Sequence, residues 1–563
     1  MSAQLPTSPA ADLPGGPARL AAAYFAHVPP DEVQGQGAGH ADAVLAAHAR
    51  LGARRPAGEA LVQAYVLDEE VGARIALDVI TDDMPFLVDS VTALVSRLGY
   101  AITWLLHPQL AVRRDADGRL EDVLGPAAAS CPQGCLAESW MHLELSGERT
   151  TPDELAAAVR GVLGDVRVAV EDWQPMRTQS LRMADELAAE RPAGIGAAEA
   201  DEAVELLRWL AQNSFTFLGY ADYALEPDGT GLRRVPGSEL GILRPHEPAT
   251  RPVQAEGPVV RRFSPEAAAI ASEPRLLVLT KANSRSTVHR PAYLDHVGIK
   301  TFDGSGRVVG ERRFLGLFSS TAYSESVLRI PVLRRKAEHV MHAAGTVATS
   351  HSGRQVLQVL EAYPRDELFQ VDAETLASVV LEVLRLGERR RVRAFLRRDD
   401  YGRFVSCLLY FPRDRYTTTV RLRMEAVLRE AVGADSIDYT ARVTESVLAR
   451  LHFVAWVPPG DRLPEVDAAA IEARLAAATR TWEDDLADAV GAAHEPAAAA
   501  ALLRRYARAF PQAYKEDFGA AEAVLDIGHL ESLEGPEGDR LALSFSAGAD
   551  PGAARLKLYR DAP

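Results

Sequence analysis

The stretch RIALDVITDDMPFLVDSV, residues 74–91, decides the fold. In its first half Ile75, Leu77 and Val79 alternate with polar or small residues, the period of a strand with one buried face. Thr81-Asp82-Asp83-Met84-Pro85 follows, and an acidic residue ahead of a proline can open a helix. Leu87, Val91, Leu94 and Leu98 then recur at helical spacing until Gly99 ends the run. The pattern predicts a strand feeding into an amphipathic helix.

Downstream, a second apolar stretch from Ala101 to Val112 leads to the turn Asp115-Ala116-Asp117-Gly118, and Met141, Leu143 and Leu145 alternate in a further strand. Thr151-Pro152-Asp153-Glu154 is a capping box with a first-turn proline. Leu155, Val159, Val162 and Leu163 form the apolar face of that helix, and the alternation of Val166, Val168 and Val170 predicts a last strand. The order strand, helix, strand, strand, helix, strand is the ferredoxin-like βαββαβ arrangement.

A helical connector covers 175–212, and strand-like runs at Phe215–Leu225, Leu276–Thr280, Leu294–Phe302 and Arg307–Ser319 predict a mostly antiparallel second domain. Helical patterns over 326–341, 355–362 and 375–386 bridge to a third sheet unit starting at Arg391, which turns at Asp399–Gly402 and resembles the first with an extra strand in front. That extra strand is expected to occupy the place of the missing final one. Residues 466–525 read as helical, and strand-like segments lie at 541–545 and 556–559, so the sequence reads as cut short within a domain. Residues 1–58 read as an N-terminal arm, partly helical around Ala18–Phe25 and Ala41–Leu51. The fold class is α+β and multidomain.

With 563 residues, 47% of them hydrophobic and 25% charged, the chain has the composition of a folded multidomain protein. The net charge of −16 argues against general binding to nucleic acid or anionic membranes, and no run of about 18 apolar residues offers a membrane span. Neither partner is expected, and a cytoplasmic protein is. Cys131 and Cys135 have no second pair to complete a metal site and read as two small thiols.

No GxGxxG, GxSxG or GxxxxGK[ST] motif is present, so no dinucleotide, nucleophile-elbow or phosphate-loop chemistry announces itself. Two loops carry candidate binding residues. Asp82, Asp83, Met84, Pro85 and Phe86 lie where a helix N-terminus can hold the carboxylate of an amino acid, or where an aspartate caps that helix instead. The loop around Lys281, Arg285, His289 and Arg290 reads either as an anion site or as a surface or interface loop. No catalytic, metal-binding or cofactor-binding residue is assigned.

The runs at 80–91, LTKANSRSTVHRP (279–291), GERRFLGLF (310–318), YPRDELFQ (363–370) and RRDDYGRFVS (397–406) together resemble the N-terminal region of large-subunit bacterial NAD-dependent glutamate dehydrogenases. The resemblance runs from about Arg74 to the end of the sequence. It implies ACT-like units at 60–175 and 391–480, a PAS-like domain at 205–325, helical segments at 176–204, 326–390 and 481–535, and the start of a third, truncated ACT-like unit at 536–563. It also implies a C-terminal catalytic domain in the same subunit, converting L-glutamate and NAD to 2-oxoglutarate, ammonium and NADH. NAD belongs to that domain and no cofactor to this chain, which alone is expected to be inactive. A homo-oligomer, a tetramer in the family, and an amino-acid effector complete the expected partners. The alternative is a stand-alone amino-acid sensor or scaffold without enzymatic activity.

Overall fold

The computed structural model describes residues 17–36, 38–68, 74–127, 133–147, 150–245, 260–387, 389–458, 465–533, 541–547 and 554–560. They fall into two units, one ending at Leu384 and the other beginning at Arg385.

In the first unit, strands β1 (Leu61–Asp68), β2 (Arg74–Asp82), β3 (Ala101–Leu106), β4 (Gln109–Arg114), β5 (Leu120–Pro126) and β6 (Leu136–Ser146) form one antiparallel sheet. Its order is β1-β2-β6, and the far edge of β6 pairs with both β3 and β4, with β5 beyond β4. The helices Leu87–Arg97 and Pro152–Glu171 cover one face through Leu87, Val91, Leu155 and Val159, which meet Leu77, Val79, Met141 and Leu143. The other face is covered too. Leu20 and Tyr24 of the helix Pro17–Tyr24 and Val44 and Leu45 of the helix Ala38–Gly52 pack on Ile80, Leu106 and Trp140. That is why β2 is buried along its whole interior and not merely at alternate residues.

The strand expected at Val166–Val170 is instead the last turn of the helix Pro152–Glu171. Val166 and Ala169 extend the buried stripe of Leu155, Val159, Val162 and Leu163 at helical spacing, so burial follows a period near 3.6 and not 2. The sheet position of that absent strand, beside β2, is taken by β1 from the front. Gly118, at φ +78°, closes the β4–β5 turn where a Cβ would stand 2.3 Å from the Arg55 carbonyl oxygen. Cys135 is disulfide-bonded and not a free thiol, since a spacing unsuited to a metal still permits a bridge; Cys131 lies outside the described residues.

The helices Trp173–Ala189 and Ala197–Trp209 lead to a second antiparallel sheet. It comprises β7 (Phe215–Leu225), β8 (Gly231–Arg234), β9 (Leu240–Gly241), β10 (Val260–Arg262), β11 (Leu277–Arg285), β12 (Tyr293–Phe302) and β13 (Val308–Phe318), in the order β10-β8-β7-β13-β12-β11 with β9 on β7. The Gly304–Gly306 turn joins β12 to β13 as a hairpin, with Asp303 Oδ1 accepting from the Ser305 and Arg307 amides.

The second unit holds β14 (Arg393–Arg398), β15 (Phe404–Pro412), β16 (Ser436–Arg442) and β17 (Leu448–Trp456), in the order β14-β15-β17-β16. Leu409, Phe411, Leu451 and Phe453 pack against Met424 and Leu428 of the helix Thr418–Val432 and Ile471 and Leu475 of the helix Ala468–Ala478. The extra front strand β14 takes the expected edge position. Four helices between Trp482 and Ser532 and a hairpin of β18 (Leu541–Ala547) and β19 (Ala554–Arg560) follow.

Candidate functional site

The two candidate loops, some two hundred residues apart in sequence, meet in the first unit. Neither aspartate at the end of β2 caps the following helix, which begins at Leu87 behind Phe86 with no side-chain cap. Asp82 Oδ1 accepts from Arg55 Nη2 at 2.7 Å and its Oδ2 from Arg167 Nη2 at 2.8 Å. Burial alone would raise the Asp82 carboxyl, but these two guanidinium bonds outweigh it and hold it below the usual range. Asp83 donates its amide to Ala137 O at 2.9 Å and accepts from Gln109 Nε2 at 3.1 Å. Met84 and Phe86 pack against the core of the first sheet, and Pro85 is exposed.

Phe86 adopts φ +73° and His289 φ +69°, both left-handed and both without the freedom of glycine. Their rings lie 4.9 Å apart. Ser90 ties them together, its hydroxyl donating to Phe86 O at 2.6 Å while its oxygen accepts the His289 amide at 2.9 Å. His289 Nδ1 also lies 3.0 Å from Asp89 Oδ2, and Thr287 donates to Asp165 Oδ2 at 2.6 Å. The loop thus docks on both helices of the first sheet.

Lys281 goes elsewhere. Its ammonium is held by Asp295 Oδ1 at 2.6 Å and Asp366 Oδ2 at 3.0 Å, and Tyr323 donates to the other oxygen of Asp366 at 2.6 Å. Burial would lower the Lys281 pKa, but the two carboxylates raise it well above its ordinary value, so the side chain stays charged and cannot serve as a base. Burial, opposed by Lys281 and reinforced by Asp366, pushes Asp295 up to about 6. Only one side of Asp295 is committed to the lysine; its Oδ2 accepts the Phe318 amide at 3.1 Å.

Arg285, His289 and Arg290 instead line a cleft of about 760 Å³ against the outer face of the helix Leu87–Arg97, where Asp89 and Arg97 face them. Arg290 donates to Phe318 O at 2.8 Å and lies over the Tyr323 ring; Arg285 lies 4.6 Å from the Tyr293 ring centre and donates to Pro291 O at 3.2 Å. The sequence reading missed Asp89, Ser90 and Arg97. Asp89, Thr92, Ala93, Ser96 and Arg97 are the polar stripe opposite Leu87, Val91 and Leu94, so helical periodicity marks the face but not what lies across from it. Among the described residues no group of three or more metal-ligating side chains converges.

The paired sheet units with permuted strands, separated by a larger antiparallel sheet and helical motifs, define a multidomain chain of ACT type. Residues 20–161 match the glutamate dehydrogenase ACT1 domain, 330–389 its helical motif 1, 393–483 its ACT2 domain and 489–533 its helical motif 2. The NAD-specific glutamate dehydrogenase of Halomonas elongata is 40% identical over 83% of this chain and 29% of its own length. That of Pseudomonas aeruginosa is 38% identical over 86% and 30%, and that of Mycobacterium tuberculosis 34% over 92% and 31%. The chain resembles the N-terminal region of the large-subunit bacterial NAD-specific glutamate dehydrogenases, and it spans about 30% of the length of these relatives. No described helix is long and apolar enough to cross a membrane.

Proposed function

We propose that this chain is the regulatory and assembly segment of an NAD-dependent glutamate dehydrogenase subunit. In this reading the first and third sheets are its ACT-like units and the second its PAS-like domain. A catalytic domain in the same subunit oxidises L-glutamate with NAD to 2-oxoglutarate and ammonium, and the subunits form a cytoplasmic homo-oligomer. The observation that carries the reading is the ordered run of ACT1, helical-motif 1, ACT2 and helical-motif 2 matches in a chain spanning about 30% of its relatives. The lack of any dinucleotide motif agrees with NAD being held elsewhere in the subunit.

An antibody raised against this segment tests the proposal by the size of the native polypeptide in source cells. A band far above 60.8 kDa that co-purifies with glutamate-dependent NAD reduction is expected. A band at 60.8 kDa without that activity would replace the proposal with the stand-alone sensor or scaffold.

A further inference from the structure

Side chains with no part in the proposed function meet where the second sheet joins the helices after it: Lys281 of β11, Arg290 of the loop that follows, Asp295 of β12, Tyr323 of the helix Ser320–Ser324 and Asp366 of the helix Arg365–Gln370. One ammonium serves two carboxylates, Asp295 at 2.6 Å and Asp366 at 3.0 Å. The carboxylates differ in what else surrounds them. Burial would raise the Asp366 carboxyl, but Lys281, the Tyr323 hydroxyl and the nearby Arg290 outweigh it and hold it below the usual range. Asp295 is fully buried, and what it has besides Lys281 is a neutral donor, the Phe318 amide at 3.1 Å. The helix Arg365–Gln370 closes the cluster: Phe369 stacks on Phe318 with ring centres 4.3 Å apart, and Lys336 of the helix Leu333–Ala343 donates to Leu368 O at 2.7 Å and Phe369 O at 2.9 Å. Tyr323, 37% exposed, keeps one side of the cluster in reach of solvent protons.

With that helix undocked, Asp295 faces water and has Lys281 to itself, so its carboxyl titrates in the ordinary range, at about 4. Docking removes the water and brings a second negative charge to the same ammonium. Both changes disfavour the ionised form, and burial and Asp366 together push Asp295 up to about 6 against the pull of Lys281. The charged and titratable groups that face Asp295 are Lys281 on β11, Arg290 on the loop, and Tyr323 and Asp366 on the two helices. His296, the next residue along β12, points to the opposite face of the sheet, where it pairs with Glu311.

We propose that this cluster is a proton-sensitive clasp: the helix Arg365–Gln370 docks on β11 and β12 with uptake of one proton by the Asp295–Asp366 pair, so mild acidification tightens the joint between the second sheet and the helices that follow it. The two carboxylates compete for one cation, and the closed joint therefore binds a proton that the open one releases. Because the closed form has the higher pKa, closure strengthens as pH falls through 6 and levels off below about 4. The clasp lies within the chain and stands whether or not the chain is part of a dehydrogenase subunit.

Hydrogen exchange of the full chain tests this at the amides of Leu368 and Val371, which bond to Pro364 O and Glu367 O within the docked helix. After correction for the intrinsic pH dependence of exchange, the opening constant is expected to fall about fourfold between about pH 7.5 and 5.5, as one group titrating near 6 requires. Asp295→Asn should flatten that dependence and Asp366→Asn should weaken it, whatever either does to opening itself, because each leaves a single carboxylate on Lys281. His339→Gln, which removes the histidine of the adjoining helix Leu333–Ala343, should keep the full fourfold fall. An opening constant that is unchanged or rises on acidification overturns the clasp. So does a fall that persists undiminished in either asparagine variant, or one that disappears in His339→Gln.

Discussion

The helix pair on the second face of the first sheet is held by a buried histidine whose charge state is fixed by its surroundings. His48 is fully buried, its Nδ1 accepting from the Tyr24 hydroxyl at 2.7 Å and its Nε2 donating to Val79 O at 3.3 Å. Both ring nitrogens are therefore used by the neutral tautomer. Burial, partly offset by Asp78, lowers its pKa from 6.5 to about 4. Between those values the unfolded imidazole binds a proton that the folded one does not, so stability rises with pH there. The contribution is complete above pH 6.5 and lost as pH falls through 4. At about 1.4 kcal/mol per pH unit, the full loss is about 3 kcal/mol.

Hydrogen exchange at the amides of the helix Ala38–Gly52 reads this locally, which matters because a chain of several units has no single unfolding free energy. Acidification from pH 6.5 to 4 is expected to lower the opening free energy of that helix by about 3 kcal/mol more than in the double variant Tyr24→Phe/His48→Leu, which removes the titrating ring and its donor together. The same acid dependence in both proteins would refute the assignment. His142 works in the opposite direction: burial would lower its pKa, but Asp78 at 2.6 Å and the nearby Glu144 raise it to about 9. Its contribution is full below pH 6.5 and lost as pH rises through 9, so the two histidines together place the local optimum near pH 6.5.

Glu138 is fully buried and accepts from Arg55, Arg114 and Trp140, so Glu138→Gln takes the carboxylate partner from the buried Arg114 and leaves Arg55 with Asp82 alone, and is expected to cost about 3 kcal/mol in urea unfolding followed at the first sheet. A loss within about 0.5 kcal/mol, the range of ordinary surface substitutions, would contradict that account. Thr151→Ala removes one half of the capping box at the start of the helix Pro152–Glu171 and should cost about 1 kcal/mol, visible as faster exchange in its first turn. In the terminal hairpin, Leu541, Leu543, Phe545, Leu556 and Leu558 are all exposed, Phe545 at 76%, so Phe545→Ser with Leu558→Ser should reduce self-association in light scattering; unchanged association would show that this face is not the adhesive one.

Strand and helix were legible in the sequence wherever one face of an element was buried. Leu87, Val91 and Leu94 announced their helix, and Leu451 and Phe453 their strand, because alternation or helical spacing maps directly onto a single core. The misreading at Val166–Val170 came from a short run in which both periods fit, and only packing against the sheet chose between them. β1 escaped notice because it is an edge strand, most of whose side chains are only half-buried. In the candidate site, the residue types that matter were visible, but not that Lys281 would turn to Asp295 and Asp366 while His289 turned to Asp89 and Ser90. Those partners come from other elements, and local spacing holds no information about them.

The Phe86–His289 joint looks stronger than it is. Two non-glycine residues in the left-handed region each cost on the order of 1 kcal/mol, and that strain is relieved if the loop lets go. The holding interactions are a ring contact, a half-exposed Asp89–His289 pair and the hydrogen bonds through Ser90. Exposed pairs contribute little, which leaves Ser90 as the principal clasp. Ser90→Ala removes the acceptor for the His289 amide and the donor to Phe86 O at once, at an expected cost of about 1–2 kcal/mol to docking of the loop. The His289 amide should then exchange roughly tenfold faster while the amides of β12, in the middle of the second sheet, keep their protection. Equal acceleration in both would mean that Ser90 supports the whole fold; no acceleration in either would mean that the loop is held by Thr287 and Asp165 instead.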